Sequence, residues 1–196
     1  MSNFVLFGST PLSLRPLAWW RFDDGSGSVD SSGRGHDLTL SNTPTRIAGR
    51  IGGGLNFAAA SAQKGETSAA VLLAALQGLD TLTIAFWARA AGYEADKGAI
   101  AIRNGVDYGT MLLILPYDLD GTPASRSRVF YSGTSIIPAG AAAPLDTWNH
   151  FAFVSRSSVD HELFINNVSV GKSSAEKSLP STIGAVSIAH DGSQFF

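Results

Sequence analysis

Leu17 to Leu40 reads LAWWRFDDGSGSVDSSGRGHDLTL, a strand, a glycine-rich loop and a second strand in one uninterrupted run. From Leu17 to Asp23 the side chains alternate. Ala18, Trp20 and Phe22 fall on one face and Leu17, Trp19 and Arg21 on the other, which is the period of a strand. An aromatic on each face predicts a strand covered on both sides. Asp24-Gly25-Ser26-Gly27 and Asp30-Ser31-Ser32-Gly33-Arg34-Gly35 follow. Their glycines accept positive φ, and their Asp and Ser side chains bond back onto nearby backbone. This predicts a structured loop on which later strands pack.

Outward from that stretch the chain reads as more strands. Asn3 to Phe7 is an arm or an edge strand, and Pro11 and Pro16 mark an extended entry to the core. His36 to Leu40 is a short strand, and Pro44 turns the chain. Ser68 to Leu76 is rich in Ala and Leu without alternation, which favours one or two turns of helix. Thr81 to Arg89 alternates cleanly, with Leu82, Ile84, Phe86 and Ala88 inward. Lys97 to Arg103 and Thr110 to Leu115 are strands, with Asn104-Gly105 as a hairpin signal between them. Arg128 to Ser132 follows, then Thr147 to Arg156, apolar on both faces and therefore central. His161 to Asn166 and Val168 to Lys172 form a hairpin around Asn166-Asn167, and Ile183 to Ala189 is the last strand. About a dozen strands imply two antiparallel sheets packed face to face.

Three groups of residues carry a family resemblance. They are Trp19-Trp20-Arg21-Phe22-Asp23-Asp24-Gly25-Ser26-Gly27 with Asp30-Ser31-Ser32-Gly33-x-Gly35, the run Gly49 to Phe57, and the later strands Leu82 to Ala88, Trp148 to Val154 and Leu163 to Asn167. In order and spacing they resemble the laminin G-like domain of the concanavalin A-like lectin/glucanase superfamily. The resemblance implies an all-β, two-sheet antiparallel jelly-roll sandwich with one short helix. It assigns residues 1–16 to an N-terminal arm or edge strand and 17–196 to the jelly roll. The same fold serves lectins, adhesion modules, glycosidases and structural proteins, so function has to be argued from a site.

Composition narrows the classes. A chain of 196 residues, 44% of them hydrophobic, can fill one large β core. The net charge is −2 without a basic cluster, which gives a nucleic-acid partner no electrostatic footprint. There is no cysteine, so disulfides, thiolate metal sites and a cysteine nucleophile are excluded. The apolar run Phe4 to Phe7 is too short for a signal core or a membrane span.

With no export signal in view, the expected setting is a virion released by lysis. A chain whose leader has been removed is the alternative. In the resembled family a further strand usually pairs beside the first core strand, and here the chain stops at Phe196. Either Asn3, Phe4, Val5, Leu6 and Phe7 fold into the gap, or a neighbouring subunit covers it. Asn3 to Phe7, Phe195 and Phe196 are therefore the candidate assembly residues, with a homo-oligomer or capsid and tail proteins as partners.

Candidate chemistry is sparse. Laminarinase-like glycosidases need carboxylates on alternate positions of one strand, and Glu66, Glu94, Glu162 and Glu176 are scattered over predicted loops and one hairpin strand. His36, His150, His161 and His190 are far apart and form no ligand pair. No nucleophile elbow precedes a helix. Calcium would suit Asp23, Asp24, Asp30 and Asp37, or Asp118 and Asp120. However, Asp30 in a D-S-S-G loop also caps a turn without metal, and no cofactor is assigned. Sugar binding points to Tyr93, Tyr108, Tyr117 and Tyr131, with Asn104 and Asp107 beside Tyr108 as the ligand-binding candidates.

Two non-enzymatic readings follow. The first is a bacteriophage virion surface protein, a capsid decoration or tail appendage that assembles through its termini and touches the host surface. The second is an extracellular carbohydrate-binding adhesion module that contacts cell-surface glycan, with or without calcium.

Overall fold

The computed structural model describes residues 2–8, 16–58, 61–91, 98–104, 112–115, 127–131, 134–137 and 143–189, of which 2–8, 112–115, 131 and 134–137 are described by their backbone. In chain order its elements are β1 (Ser2–Gly8), β2 (Ala18–Trp20), β3 (Thr39–Ser41), β4 (Thr45–Ala48), β5 (Gly53–Asn56), β6 (Lys64–Thr67), α1 (Ala70–Leu76) and β7 (Leu82–Ala88). Then come β8 (Ile100–Arg103), β9 (Leu112–Leu115), β10 (Arg128–Tyr131), β11 (Thr134–Ile137), β12 (Asn149–Ser157), β13 (Asp160–Ile165), β14 (Val168–Ser173) and β15 (Ala185–Ile188). Six strands form one antiparallel sheet in the order β14-β13-β12-β7-β1-β2. Seven form a second in the order β11-β10-β9-β8-β15-β6-β3, and β4 and β5 make a separate hairpin.

One core joins the two sheets. From the six-stranded sheet it receives Trp20, Ile84, Phe86, Phe151, Phe153 and Leu163, and from the seven-stranded sheet Ile100, Ile102, Val129, Val186 and Ile188. Phe86 and Phe151 are cross-strand partners whose rings stack 5.2 Å apart. Each such side chain contributes about 1.5–3 kcal/mol on burial, which is why period-2 alternation fixes the faces of β7 and β12. The helix has no side-chain cap and is held by burying Leu72, Leu73 and Leu76 while Val71 faces solvent.

The Leu17 to Leu40 stretch closes on itself through Asp30. Its carboxylate accepts the backbone N–H groups of Trp19 at 3.0 Å, Ser32 at 2.9 Å and His36 at 3.0 Å, and the Ser32 hydroxyl at 2.7 Å. Trp20 Nε1 donates to the His36 carbonyl at 2.8 Å within the core. Gly53 approaches the same turn so closely that an added Cβ would lie 2.3 Å from the Phe22 carbonyl oxygen. Only glycine lets the β4–β5 hairpin settle there.

Several expectations need correction. The strand around Trp19 is covered on one face only. It forms β2 at the sheet edge, and beyond it Phe22 takes a φ of 62° and breaks the alternation. Ser2–Gly8 lies inside the sheet rather than at its edge, paired to β2 on one side and β7 on the other. The chain itself thus fills the place beside the first core strand, and with both edges of β1 occupied its backbone offers no ladder to a neighbour. The connection between β8 and β9 is longer than the two-residue hairpin expected at Asn104-Gly105, since β8 ends at Arg103 and its partner β9 begins at Leu112. Lys64–Thr67 and Thr134–Ile137 are strands without a strong apolar alternation in sequence, and Glu66 therefore sits on a strand rather than in a loop.

Candidate functional site

The register between β7 and β12 decides which side chains meet outside the core. Asn149 lies opposite Ala88 and both are buried, while the next pair, Trp87 opposite His150, faces outward. One step further, Arg89 and Trp148 share the outward face by the same alternation. The Trp87 and His150 rings lie 5.1 Å apart at 53°. The Arg89 guanidinium carbon stands 5.6 Å from the centre of the Trp148 ring, and that of Arg50, from the β4–β5 turn, 5.4 Å from the centre of the Trp87 ring. Both arginines are exposed and the three rings are half-buried.

Hydrogen bonds beneath this patch fix its frame. The Asn166 N–H donates to the His150 carbonyl at 2.8 Å, and Asn166 Oδ1 accepts the His150 N–H at 2.9 Å. Asn149 Nδ2 donates to the carbonyls of Pro144 at 2.8 Å and Thr147 at 3.1 Å, and the Asp146 N–H donates to the Ala90 carbonyl at 2.8 Å. The loop that delivers Trp148 is thus tied to the strand end that delivers Arg89. Ile51, next to Arg50, and Val168, beyond the Asn166-Asn167 turn, are exposed apolar residues on the two flanking hairpins.

Chemically the patch combines indole faces with donors. A flat π-face packs against the C–H face of a sugar ring, and the surrounding polar groups bond its hydroxyls. Burial lowers the pKa of His150, so its ring is neutral at neutral pH and can both donate and accept. Sequence reasoning assigned Trp87 and Trp148 to strand motifs and did not single out Arg50 or Arg89. The available signal was Ile84-Ala85-Phe86-Trp87-Ala88, where a large ring occupies a solvent-side position on a strand whose inward face is already filled.

The other candidates separate. Asn104 is exposed at the end of β8, while Asp107, Tyr108, Tyr93, Tyr117, Asp118, Asp120, Glu94, His190, Phe195 and Phe196 lie outside the described residues. Tyr131 ends β10. Asn3, Phe4, Val5, Leu6 and Phe7 are in β1. Asp23 pairs with Arg21 at 2.6 Å, Asp24 Oδ1 accepts the Ser26 and Gly27 N–H groups, and Asp37 accepts the Asp30 N–H at 2.8 Å. Burial works against the Asp30 carboxylate, yet its bonds from Ser32, Trp19 and His36 outweigh this and hold its pKa below the usual range. Those oxygens accept from N–H and O–H donors, and among the described residues no three acidic or histidine side chains converge as a metal site. Ser155 Oγ lies 2.9 Å from His161 Nδ1, but His161 is fully buried and its Nε2 faces two backbone carbonyls, so the pair is structural.

A hollow of about 460 Å³ opens beside β3, with Asp37, Thr39, Ser41, Lys64, Glu66 and Ser68 in its wall. Glu66 there accepts from Arg103, from Lys64 Nζ at 3.2 Å and from Ser187 Oγ at 3.1 Å. Burial disfavours its charge, but Arg103 and Lys64 outweigh that and keep the carboxyl ionised. These charges satisfy one another and no aromatic ring among the described residues lines the hollow, so the Trp87–Trp148 patch is the stronger site.

Comparison with known proteins agrees with this architecture. Domain 4 of AbnA, a GH43 extracellular arabinanase from Geobacillus stearothermophilus solved in complex with arabinotriose, matches with a TM-score of 0.70 and 14% identity, covering 89% of this chain and 83% of that one. The carbohydrate-binding module CBM66 from Bacillus subtilis has a TM-score of 0.38 and 13% identity, over 77% of this chain and 86% of that one. The botulinum neurotoxin serotype G binding domain has a TM-score of 0.48 and 16% identity, over 88% of this chain and 44% of that one. No curated protein matches the chain. The opening motifs from Leu17 to Phe57 precede the residues that a laminin G family profile matches, 63–196. With that match over most of its length, the chain belongs to the concanavalin A-like lectin/glucanases superfamily.

Proposed function

We propose that this protein is a non-enzymatic carbohydrate-binding module that takes an oligosaccharide on the Trp87–Trp148 patch. The observation that carries the reading is the placement of two indoles and an imidazole on the outward face of adjoining strands, framed by exposed arginines and rigid asparagine turns. A domain of the same fold was solved with arabinotriose, which makes that sugar the first ligand to try. Hydrolysis is not supported. Among the described residues two glutamates stand on strands, Glu66 on β6 and Glu162 on β13; they lie in different sheets, and each is tied to an arginine. The virion setting draws no support from the fold or its relatives, and the binding-module reading takes precedence.

Titration calorimetry with arabinotriose and a panel of plant and bacterial oligosaccharides tests the reading. The native chain is expected to bind at least one of them, and Trp148→Ala and Trp87→Ala to weaken it tenfold or more while keeping the native circular dichroism spectrum. Unchanged affinity in both variants would move the site elsewhere, and no binding to any sugar would overturn the function.

A further inference from the structure

Seven of the arginines among the described residues fall into two groups. Arg21, Arg103 and Arg156 are ion-paired with Asp23, Glu66 and Asp160 with Glu162, and Arg34 and Arg46 donate to the carbonyls of Pro16 and Asp24. Arg50 and Arg89 have no carboxylate and no hydrogen-bond acceptor among the described residues. Both are exposed, and both stand over the indoles of the same patch. Stacking removes water from one face of a guanidinium and limits its motion, while its N–H donors keep the geometry that matches a carboxylate or sulfate in two parallel bonds. The whole chain carries a net charge of −2, so this is a local concentration of positive charge and not part of a basic surface. A neutral His150 beside them adds a donor and acceptor without competing for the anion.

Resting on the proposed sugar site, we infer that its ligand is an acidic oligosaccharide, whose rings pack on Trp87 and Trp148 and whose carboxylate or sulfate groups pair with Arg50 and Arg89. A neutral sugar would use the rings and offer hydroxyl oxygens to the guanidiniums, but it would leave both positive charges without an anionic partner. The inference concerns charge, and the proposed function concerns the rings, so the two can fail separately.

The test compares trigalacturonate with its fully methyl-esterified form, which keeps the rings and removes the charge, and dextran sulfate with dextran for the sulfate source. Titrations are run at low and high sodium chloride. One acidic probe is expected to bind at least tenfold tighter than its neutral counterpart, with an advantage that shrinks as salt rises. Arg89→Gln and Arg50→Gln should erode that advantage, weakening the acidic probe by a larger factor than its neutral counterpart, and Arg89→Lys should restore part of it. Trigalacturonate alone responding would identify a carboxylate ligand, and dextran sulfate alone a sulfated one. If the neutral forms or arabinotriose bind as tightly as the acidic ones and the glutamine variants behave like the native chain, the charge inference fails and the sugar site stands. If no probe binds, both fail.

Discussion

Asn166 Nδ2 donates to Asn149 Oδ1 at 2.9 Å, joining the β13–β14 turn to the strand end between Trp148 and His150. Asn166 also has a φ of 50°, a left-handed conformation that asparagine tolerates and alanine resists. Asn166→Ala removes two side-chain hydrogen bonds and strains the turn, for an expected loss of about 2–3 kcal/mol by urea denaturation. Asn166→Asp keeps the acceptor for the His150 N–H but sets a carboxylate oxygen against Asn149 Oδ1, so it should cost about as much as the alanine variant. Asn166 is a positioning residue, so sugar affinity measured well below the melting temperature should also fall in the alanine variant. An unchanged affinity would show that the turn supports the fold without shaping the patch.

Asp30 gives a second prediction. Its oxygens accept four bonds from N–H and O–H groups, three of them from backbone. Asp30→Ala should cost about 3–5 kcal/mol, because buried donors are left without a partner. Asp30→Asn should cost nearly as much, since its amide N–H₂ would face donors. A chelator is expected to leave the native melting temperature unchanged. A chelator-dependent fall of several degrees would instead show a cation bound in this loop.

Some of this was legible in the sequence, and for identifiable reasons. Leu82–Ala88 alternates strictly because one face meets the core and the other does not, and the structure reproduces it. Asn149–Ser157 is central, as its apolar residues on both faces suggest, but only one of its faces is buried. Asn166 and Asn167 both take positive φ, as their residue types suggest. Lys64–Thr67 was missed because its inward positions are Gly65 and Thr67, which carry no apolar signal, although its pairing with β15 and β3 is complete. The patch was half legible. The rings of Trp87 and Trp148 stand in recognisable strand motifs, but the approach of Arg50 depends on Gly53 packing against Phe22 from another part of the chain, and no local pattern encodes that distance.

Glu162 makes a third prediction, on pH. Its carboxylate accepts from Ser169, Arg156 and Lys172, and these hold its pKa down at about 2, against an ordinary value of 4.5. A carboxyl depressed on folding stabilises the folded state above its unfolded pKa, and that contribution is lost as pH falls toward the folded value. Glu162→Gln should therefore melt below the native chain at pH 7. The gap should narrow from pH 4.5 downward and close near pH 2. A gap independent of pH would assign the loss to packing rather than to charge.

The hollow beside β3 supplies the last prediction, because it distinguishes the two places a sugar could sit. Glu66 neutralises Arg103, whose side chain is 7% exposed, and Glu66 itself remains 28% exposed. Glu66→Gln removes the charge that compensates a buried guanidinium, and the partial exposure of the site reduces the penalty to about 2 kcal/mol. Glu66 belongs to the seven-stranded sheet, whereas Trp87 and Trp148 stand on and beside strands of the six-stranded one. The expected result is a less stable protein whose oligosaccharide affinity is unchanged at temperatures where it is fully folded. Lys64→Ala, which leaves the closer Arg103–Glu66 pair in place, should change neither property by much. If Glu66→Gln and Lys64→Ala abolish binding while Trp148→Ala retains it, the ligand occupies the hollow, and recognition runs through hydroxyl and carboxylate contacts instead of aromatic rings.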